Sequence, residues 1–306
     1  MIHEYALEPE LVATWGNRQD FRYFVEKFGL GQPRIVSRYP KRWKRLVWQA
    51  FQSSDDLERA RMVELLQRLG ERMVHRTGYS WDQGRAWSEN ARAEHKRVPF
   101  HAILARENPD GHPRVLVAAE LNDAIPLWAV PRAVAIARQA ADLAAAVAAM
   151  LRIARTVVFV DPYFGPDKGR YRRTLEAFLR AMTEGRAVEG PGRVEVHTSA
   201  DENRNGTREF FAAECQRRLP GCVPTGARLR IVRLRQRPGG ERLHNRYILT
   251  DIGGVLFGVG LDDGDEGDTD DVQLLDRAQY EERWRHYASD APAFDQPEPP
   301  VEIQGA

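Results

Sequence analysis

The sequence predicts an α/β protein: a mixed sheet flanked by helices, preceded by a mainly helical N-terminal region. Short apolar runs alternate with amphipathic helical runs through the second half of the chain, the pattern of βαβ units on a mostly parallel sheet. The first hundred or so residues instead carry apolar positions at helical spacing. With 306 residues, 42% hydrophobic and 29% charged, the chain has room for two domains or one large one.

Leu11, Val12, Trp15, Phe21, Phe24, Val25 and Phe28 recur near helical spacing and the run closes at Gly29 and Gly31, predicting one or two helices over 9–28. A second helix is expected from Tyr39 to Phe51, with Pro40 near its first position and Trp43, Val47, Trp48 and Phe51 on one face. A third, Asp55 to Arg76, has an aspartate cap ahead of Leu57, Met62, Leu65, Leu66, Leu69 and Met73. Together these define a helical region, 1–98. Phe100–Arg106 and Val115–Leu121 flank N-P-D-G-H-P and predict a hairpin in a connecting segment, 99–130.

The main domain is placed at 131–288. Pro131 to Arg155 is alanine-rich and predicts one long helix. Strand Val157–Val160, helix Arg170–Met182, strand Val194–His197, helix Thr207–Leu219 and strand Leu229–Leu234 follow, and helix Arg277–Tyr287 ends the domain. Residues 289–306, with Pro292, Pro297, Pro299 and Pro300, are expected to be disordered.

Between the last strand and the last helix lies H-N-R-Y-I-L-T-D-I-G-G-V-L-F-G-V-G-L-D, His244 to Asp262. His244, Arg246 and Asp251 follow H-x-R-x-x-x-x-D. In a strand, residues two apart share a face, so the imidazole and guanidinium are expected to grip one ligand. Histidine is suited to attack phosphorus, arginine to bind equatorial oxygens bidentately, and Asp251 to orient or balance the cations. That chemistry needs no metal or other cofactor. Gly253 and Gly254 are expected to form a hairpin turn, with Gly258 and Gly260 leaving space for a ligand oxygen or another backbone. Asp161, at the end of a strand, is either a site residue or a turn cap before Pro162.

These residues resemble the phospholipase D superfamily, whose signature is H-x-K-x-x-x-x-D followed by G-S-x-N. Arg246 stands at the lysine, Gly258 at the glycine, Val259 at the serine and Asp262 at or near the asparagine. The chain is more similar still to the phospholipase-D-like domain at the C-terminus of MIT-domain proteins that act with the ESCRT machinery, through H-x-R-x-I-x-x-D-x-G, G-x-G-L-D, D-P-Y ending at Tyr163 and T-S ending at Ser199. The likeness spans roughly residues 140–287, with no MIT helical bundle before it. It implies a homodimeric phospholipase-D-like fold, with Gly258, Gly260 and Asp262 matching its motif; phospholipase D enzymes also carry a downstream acid that orients the histidine, which their resemblance places near Asp271. Hydrolysis is not established in that closer family, which binds acidic phospholipid.

With one motif per chain, a complete enzyme needs a second copy to supply a second histidine. Two functions stay open: a phosphodiesterase, with a nuclease of bacterial defence or nucleic-acid processing as its candidate, and a non-catalytic adaptor for acidic phospholipid, nucleic acid or a protein. Lys+Arg 45 against Asp+Glu 44 leaves no global field to steer the chain to nucleic acid or membrane, so a phosphate site must be local. Cys215 and Cys222 make neither a disulfide framework nor a zinc site. No signal-peptide pattern or long apolar stretch is visible, and a cytoplasmic location is expected. The acidic run Asp262–Asp271 lacks EF-hand spacing and predicts a solvated loop; Lys41–Arg45 predicts a solvated helix face with Trp43 turned inward.

Overall fold

A computed structural model describes every residue but Ser54 and Ala306. The chain is α/β throughout and forms two compact units, one of Ile2–Arg132 with Gly185–Glu189, the other of Met1, Ala133–Glu184 and Gly190–Ala306.

The N-terminal unit is built on a five-stranded sheet, which corrects the expectation of a mainly helical region. Its strands are β1 (His3–Leu7), β2 (Arg34–Ser37), β3 (Met73–Val74), β4 (Ala102–Ala105) and β5 (Val115–Val117), in the spatial order β3, β2, β1, β4, β5. All neighbours are parallel. Such strands are covered on both faces and show little alternation; β2, β3 and β4 are buried at every position. The predicted hairpin is likewise absent, because β5 lies parallel to β4, with Ile103 opposite Val115. The intervening loop runs back along β4 first, and the Ile103 N–H donates to Arg114 O at 2.8 Å.

Helices α1 (Pro9–Val12), α2 (Arg18–Phe24), α3 (Trp43–Ala50), α4 (Asp56–Glu71) and α5 (Trp87–Arg97) flank this sheet. Asp55 caps α4 by accepting from Leu57 N at 2.7 Å. Trp43 is fully buried, as expected, and its indole donates to Leu7 O at 2.6 Å, so the ring is buried without stranding its polar atom. Trp15 stacks on Phe24 with centroids 3.8 Å apart.

The second unit has an eight-stranded mixed sheet. Its strands are β6 (Ala133–Ala137), β7 (Thr156–Val160), β8 (Arg193–Ser199), β9 (Arg228–Leu234), β10 (Arg246–Thr250), β11 (Gly253–Phe257), β12 (Thr269–Leu274) and β13 (Val301–Gln304), ordered β13, β9, β8, β7, β10, β11, β12, β6. β7, β8 and β9 are parallel, and the other pairings are antiparallel. Helices α6 (Ala140–Leu151), α7 (Gly169–Thr183), α8 (Glu202–Asn205), α9 (Arg208–Arg218) and α10 (Arg277–Tyr287) complete it. The α10 ends match expectation because Asp276 and Gln279 form a capping box, each side chain bonding the other's backbone N–H.

Three expectations are corrected here. Pro131–Arg155 is not one helix: Ala133–Ala137 is an edge strand paired with β12, and the chain enters α6 through Gln139 at φ −110, ψ 145. Only Val134 and Ile136, half-buried between exposed alanines, carried the strand's alternation. The tail is ordered, since β13 pairs with β9 and Phe294 is 1% exposed. The hairpin turn is Asp251–Ile252, while Gly253 and Gly254 already belong to β11. A Cβ on Gly254 would lie 2.8 Å from Leu249 Cδ2 and 3.2 Å from Tyr280 Cδ2, so this position accepts only glycine without repacking.

Candidate functional site

Strand direction gathers the candidate residues. β7 and β8 end at the same side of the sheet, and β10 runs against β7 with Tyr247 opposite Val160. Arg246 at the start of β10 therefore lies beside Asp161, just past β7. β11 returns with Phe257 opposite Arg246, which brings Gly258 to the same end. Four segments thus meet there: Asp161–Tyr163, Ser199–Asn205, His244–Arg246 and Gly258–Asp262. Carboxyl ends of parallel strands are where such sheets hold ligands.

His244 sits in a turn two residues before β10 rather than in the strand, and is exposed. It lies two residues before Arg246, and strand alternation does not set its direction. Arg246 has its guanidinium carbon 4.9 Å from the Tyr163 ring centroid, a cation–π distance. Its Nε is buried without a hydrogen-bond partner. Arg204 approaches the same ring, also at 4.9 Å.

Asp251 lies elsewhere. It is five residues beyond Arg246, about 17 Å away at strand rise. Its Oδ1 accepts from Arg155 N at 2.8 Å and Thr156 N at 3.1 Å. It ties the start of β7 to the hairpin turn and does not balance His244 or Arg246.

Asp161 is 1% exposed and caps the turn, as one of its two expected roles had it. Its Oδ1 accepts from Tyr163 N at 2.9 Å, capping the turn, and its Oδ2 accepts from Leu261 N at 2.9 Å. Burial pushes its carboxyl up to about 6, while the two amides and the Arg246 charge oppose that rise and Asp262 adds to it.

The glycine loop is filled by the protein's own carboxylates. Val259 N donates to Asp270 Oδ1 at 3.0 Å and Gly260 N to Asp270 Oδ2 at 3.5 Å. A Cβ on Gly258 would come 3.1 Å from Asp270 Oδ1, and one on Gly260 would collide with Asp262. The space expected for a ligand oxygen is therefore occupied. Asp262, 2% exposed, pairs with Arg138 and with Arg170 Nε at 3.0 Å. Asp263 accepts from Arg173 Nε at 2.5 Å and from Thr174 Oγ1 at 3.2 Å. The head of the acidic run is thus buried and paired, its middle, 265–269, is exposed, and Asp270 near its end is buried again.

Asp271 is exposed on β12, opposite Ala135. Its neighbour Asp270 takes the inward position, because successive strand residues face opposite ways. Sequence reasoning also missed Arg138, Arg170 and Arg204; no local signal marks them, since loops and helices far apart in the chain bring them in. Tyr163 stood in the D-P-Y motif and could have been chosen from it. Among the described residues no group of three or more His, Cys, Asp or Glu is arranged to hold a metal ion, and no helix is long and apolar enough to cross a membrane.

Comparison with protein-family models, curated proteins and solved structures finds no match to this chain.

Proposed function

We propose that this is a phospholipase-D-like protein that recognises phosphodiesters through His244 and Arg246. One observation carries the reading: the Arg246 guanidinium, backed by Tyr163, makes no hydrogen bond or ion pair with a described residue. Most other arginines at this end of the sheet are already committed: Arg138 and Arg170 to Asp262, and Arg173 to Asp263. A half-buried guanidinium whose terminal nitrogens bond no described residue is suited to an anion, and exposed His244 stands two residues away.

The reading extends to a phosphodiesterase of the nuclease type, acting as a two-fold homodimer. A His244 nitrogen attacks phosphorus, and the bond to the leaving oxygen breaks as the partner's His244 protonates it. Water then attacks the phosphohistidine, giving its proton to the partner's His244, and free imidazole and phosphate monoester result. Arg246 neutralises the equatorial oxygens throughout.

A second reading, a non-catalytic adaptor for acidic phospholipid, nucleic acid or a protein, is favoured by the glycine loop. The Val259, Gly260 and Leu261 amides are held by Asp270 and Asp161 and offer nothing to a transition state.

The two separate in one experiment. EDTA-treated protein is incubated with single- and double-stranded DNA, RNA and a bis-aryl phosphodiester, as wild type and as His244→Ala. Cleavage lost in the variant establishes the enzyme; no cleavage, with liposome or nucleic-acid binding retained, establishes the adaptor. Sedimentation at micromolar concentration should show a dimer, and a monomer overturns the two-histidine mechanism.

A further inference from the structure

The N-terminal unit has a parallel sheet whose order β3, β2, β1, β4, β5 reverses direction at β1. The chain winds outward from β1 through β2 to β3, then returns to place β4 on the other side of β1. The crevice past the carboxyl ends of β1 and β4 is therefore a topological switch point, where open parallel sheets bind their ligands.

A cavity of about 680 Å³ lies beside it, with Glu10, Thr14, Gln49, Gln52, Glu58 and Arg106 in its lining. A second, of about 200 Å³, includes Glu8 and shares Arg106. The larger volume falls in the range of small-molecule sites. Arg106 is the residue just after β4, and Glu8 is the residue just after β1. They bind each other: Arg106 N donates to Glu8 Oε2 at 2.8 Å and Nε to the same oxygen at 3.2 Å. Arg106 is thereby paired, and Glu10 and Glu107 add their charge around it.

The acids in the lining of the larger cavity are Glu10 and Glu58, so with Glu8 and Glu107 the acids around Arg106 outnumber it. Glu10 Oε2 is buried without a hydrogen-bond partner, and an unmet carboxylate oxygen is costly unless something donates to it. Glu58 Oε2 accepts from the neutral Ser53 hydroxyl at 2.5 Å. The Gln49 and Gln52 amides make no bond to a described residue, and the Phe51 ring adds a face that suits a cation. The segment after β1, E-P-E-L-V-A-T-W-G, has no glycine-rich phosphate loop, and its acids would repel an anion.

We propose that this switch-point cavity binds a small organic cation of the amine or guanidine class, with Glu10 and Glu58 as its counter-charges and Gln49 and Gln52 as polar contacts. The site is separate from His244 and Arg246 and independent of their function.

The test is calorimetric titration of the full chain with agmatine, which carries an amine and a guanidinium, and with malonate as an anion of similar size. Saturable one-to-one binding of agmatine, no binding of malonate, and a Kd weakened about tenfold or more in Glu10→Gln are expected, the size of one lost charge-assisted hydrogen bond. Arg246→Ala should bind agmatine like wild type. No saturable agmatine binding, equal affinity in the Glu10 variant, or comparable malonate binding overturns the proposal. Should Glu10→Gln lose its far-UV circular dichroism, Glu58→Gln decides by the same criteria.

Discussion

The Asp161 carboxylate accepts the Leu261 amide across 100 residues of sequence at 2.9 Å, joining the end of β7 to the glycine loop after β11. That bond shapes the candidate site. It closes the loop against the strand end and puts a buried carboxyl close enough to feel the Arg246 charge. Burial raises Asp161 well above the usual carboxylate range, so its protonation controls how positive the site is.

Arg246→Ala should weaken sulfate binding at this site while the protein remains folded. A charge-assisted hydrogen bond contributes roughly 1.5–3 kcal/mol, so affinity should fall about ten- to a hundredfold or more. Titration calorimetry with sulfate reads the loss, and unchanged affinity places the anion site elsewhere.

Sulfate affinity should rise as pH falls through about 6, where Asp161 takes up a proton and its negative charge no longer acts near Arg246. Stability has the same direction. The folded value lies above the unfolded 3.8, so this group's contribution is fully present below about 3.8 and is lost as pH rises through about 6. Asp161→Asn should flatten both profiles between those limits, measured by sulfate titration and thermal melting. Wild-type and variant profiles of equal slope would contradict the assignment.

The three acids named beside or near the motif should separate cleanly. Asp270→Ala strands two amides and should cost about 1–3 kcal/mol; Asp271→Ala, on the exposed face, should stay within about 0.5 kcal/mol. Asp251→Ala should cost about 1 kcal/mol by freeing the Arg155 and Thr156 amides and leave sulfate affinity unchanged. Urea melts and sulfate titration check all three, and a loss of sulfate binding in Asp251→Ala would return that residue to the site.

In the N-terminal unit, Arg76 is fully buried between Glu4, at 2.7 Å, and Glu94, at 2.8 Å, and lies 3.6 Å from the Phe100 centroid. Arg76→Ala leaves two buried carboxylates without their shared cation and should destabilise by about 3–5 kcal/mol. Arg76→Ala together with Glu4→Gln should recover part of that loss in denaturant melts, because one buried charge is removed with its partner.

The sequence by itself determined the elements whose signals are local. Helices α4, α9 and α10 begin at side-chain caps, Asp55, Thr207 and Asp276, and amphipathic α7 lies where its spacing predicts. Strands β7 to β11 follow from apolar runs bounded by turns. His244 and Arg246 are neighbours for a local reason as well, being two residues apart. Tertiary structure alone decided the rest. β1, β2 and β3 are short and enclosed, so neither length nor alternation marks them; only pairing with a distant neighbour makes them strands. The alanines of β6 favour a helix by propensity and become a strand because β12 presents an open edge. β13 follows a proline-rich run yet finds an unpaired edge on β9. Asp251 shares a motif with His244 but lies at the far end of a strand, and Asp270 rather than Asp271 faces inward because one residue of register reverses the face. Spacing along a chain states which residues are neighbours in sequence, while strand direction and register decide which charges meet in space.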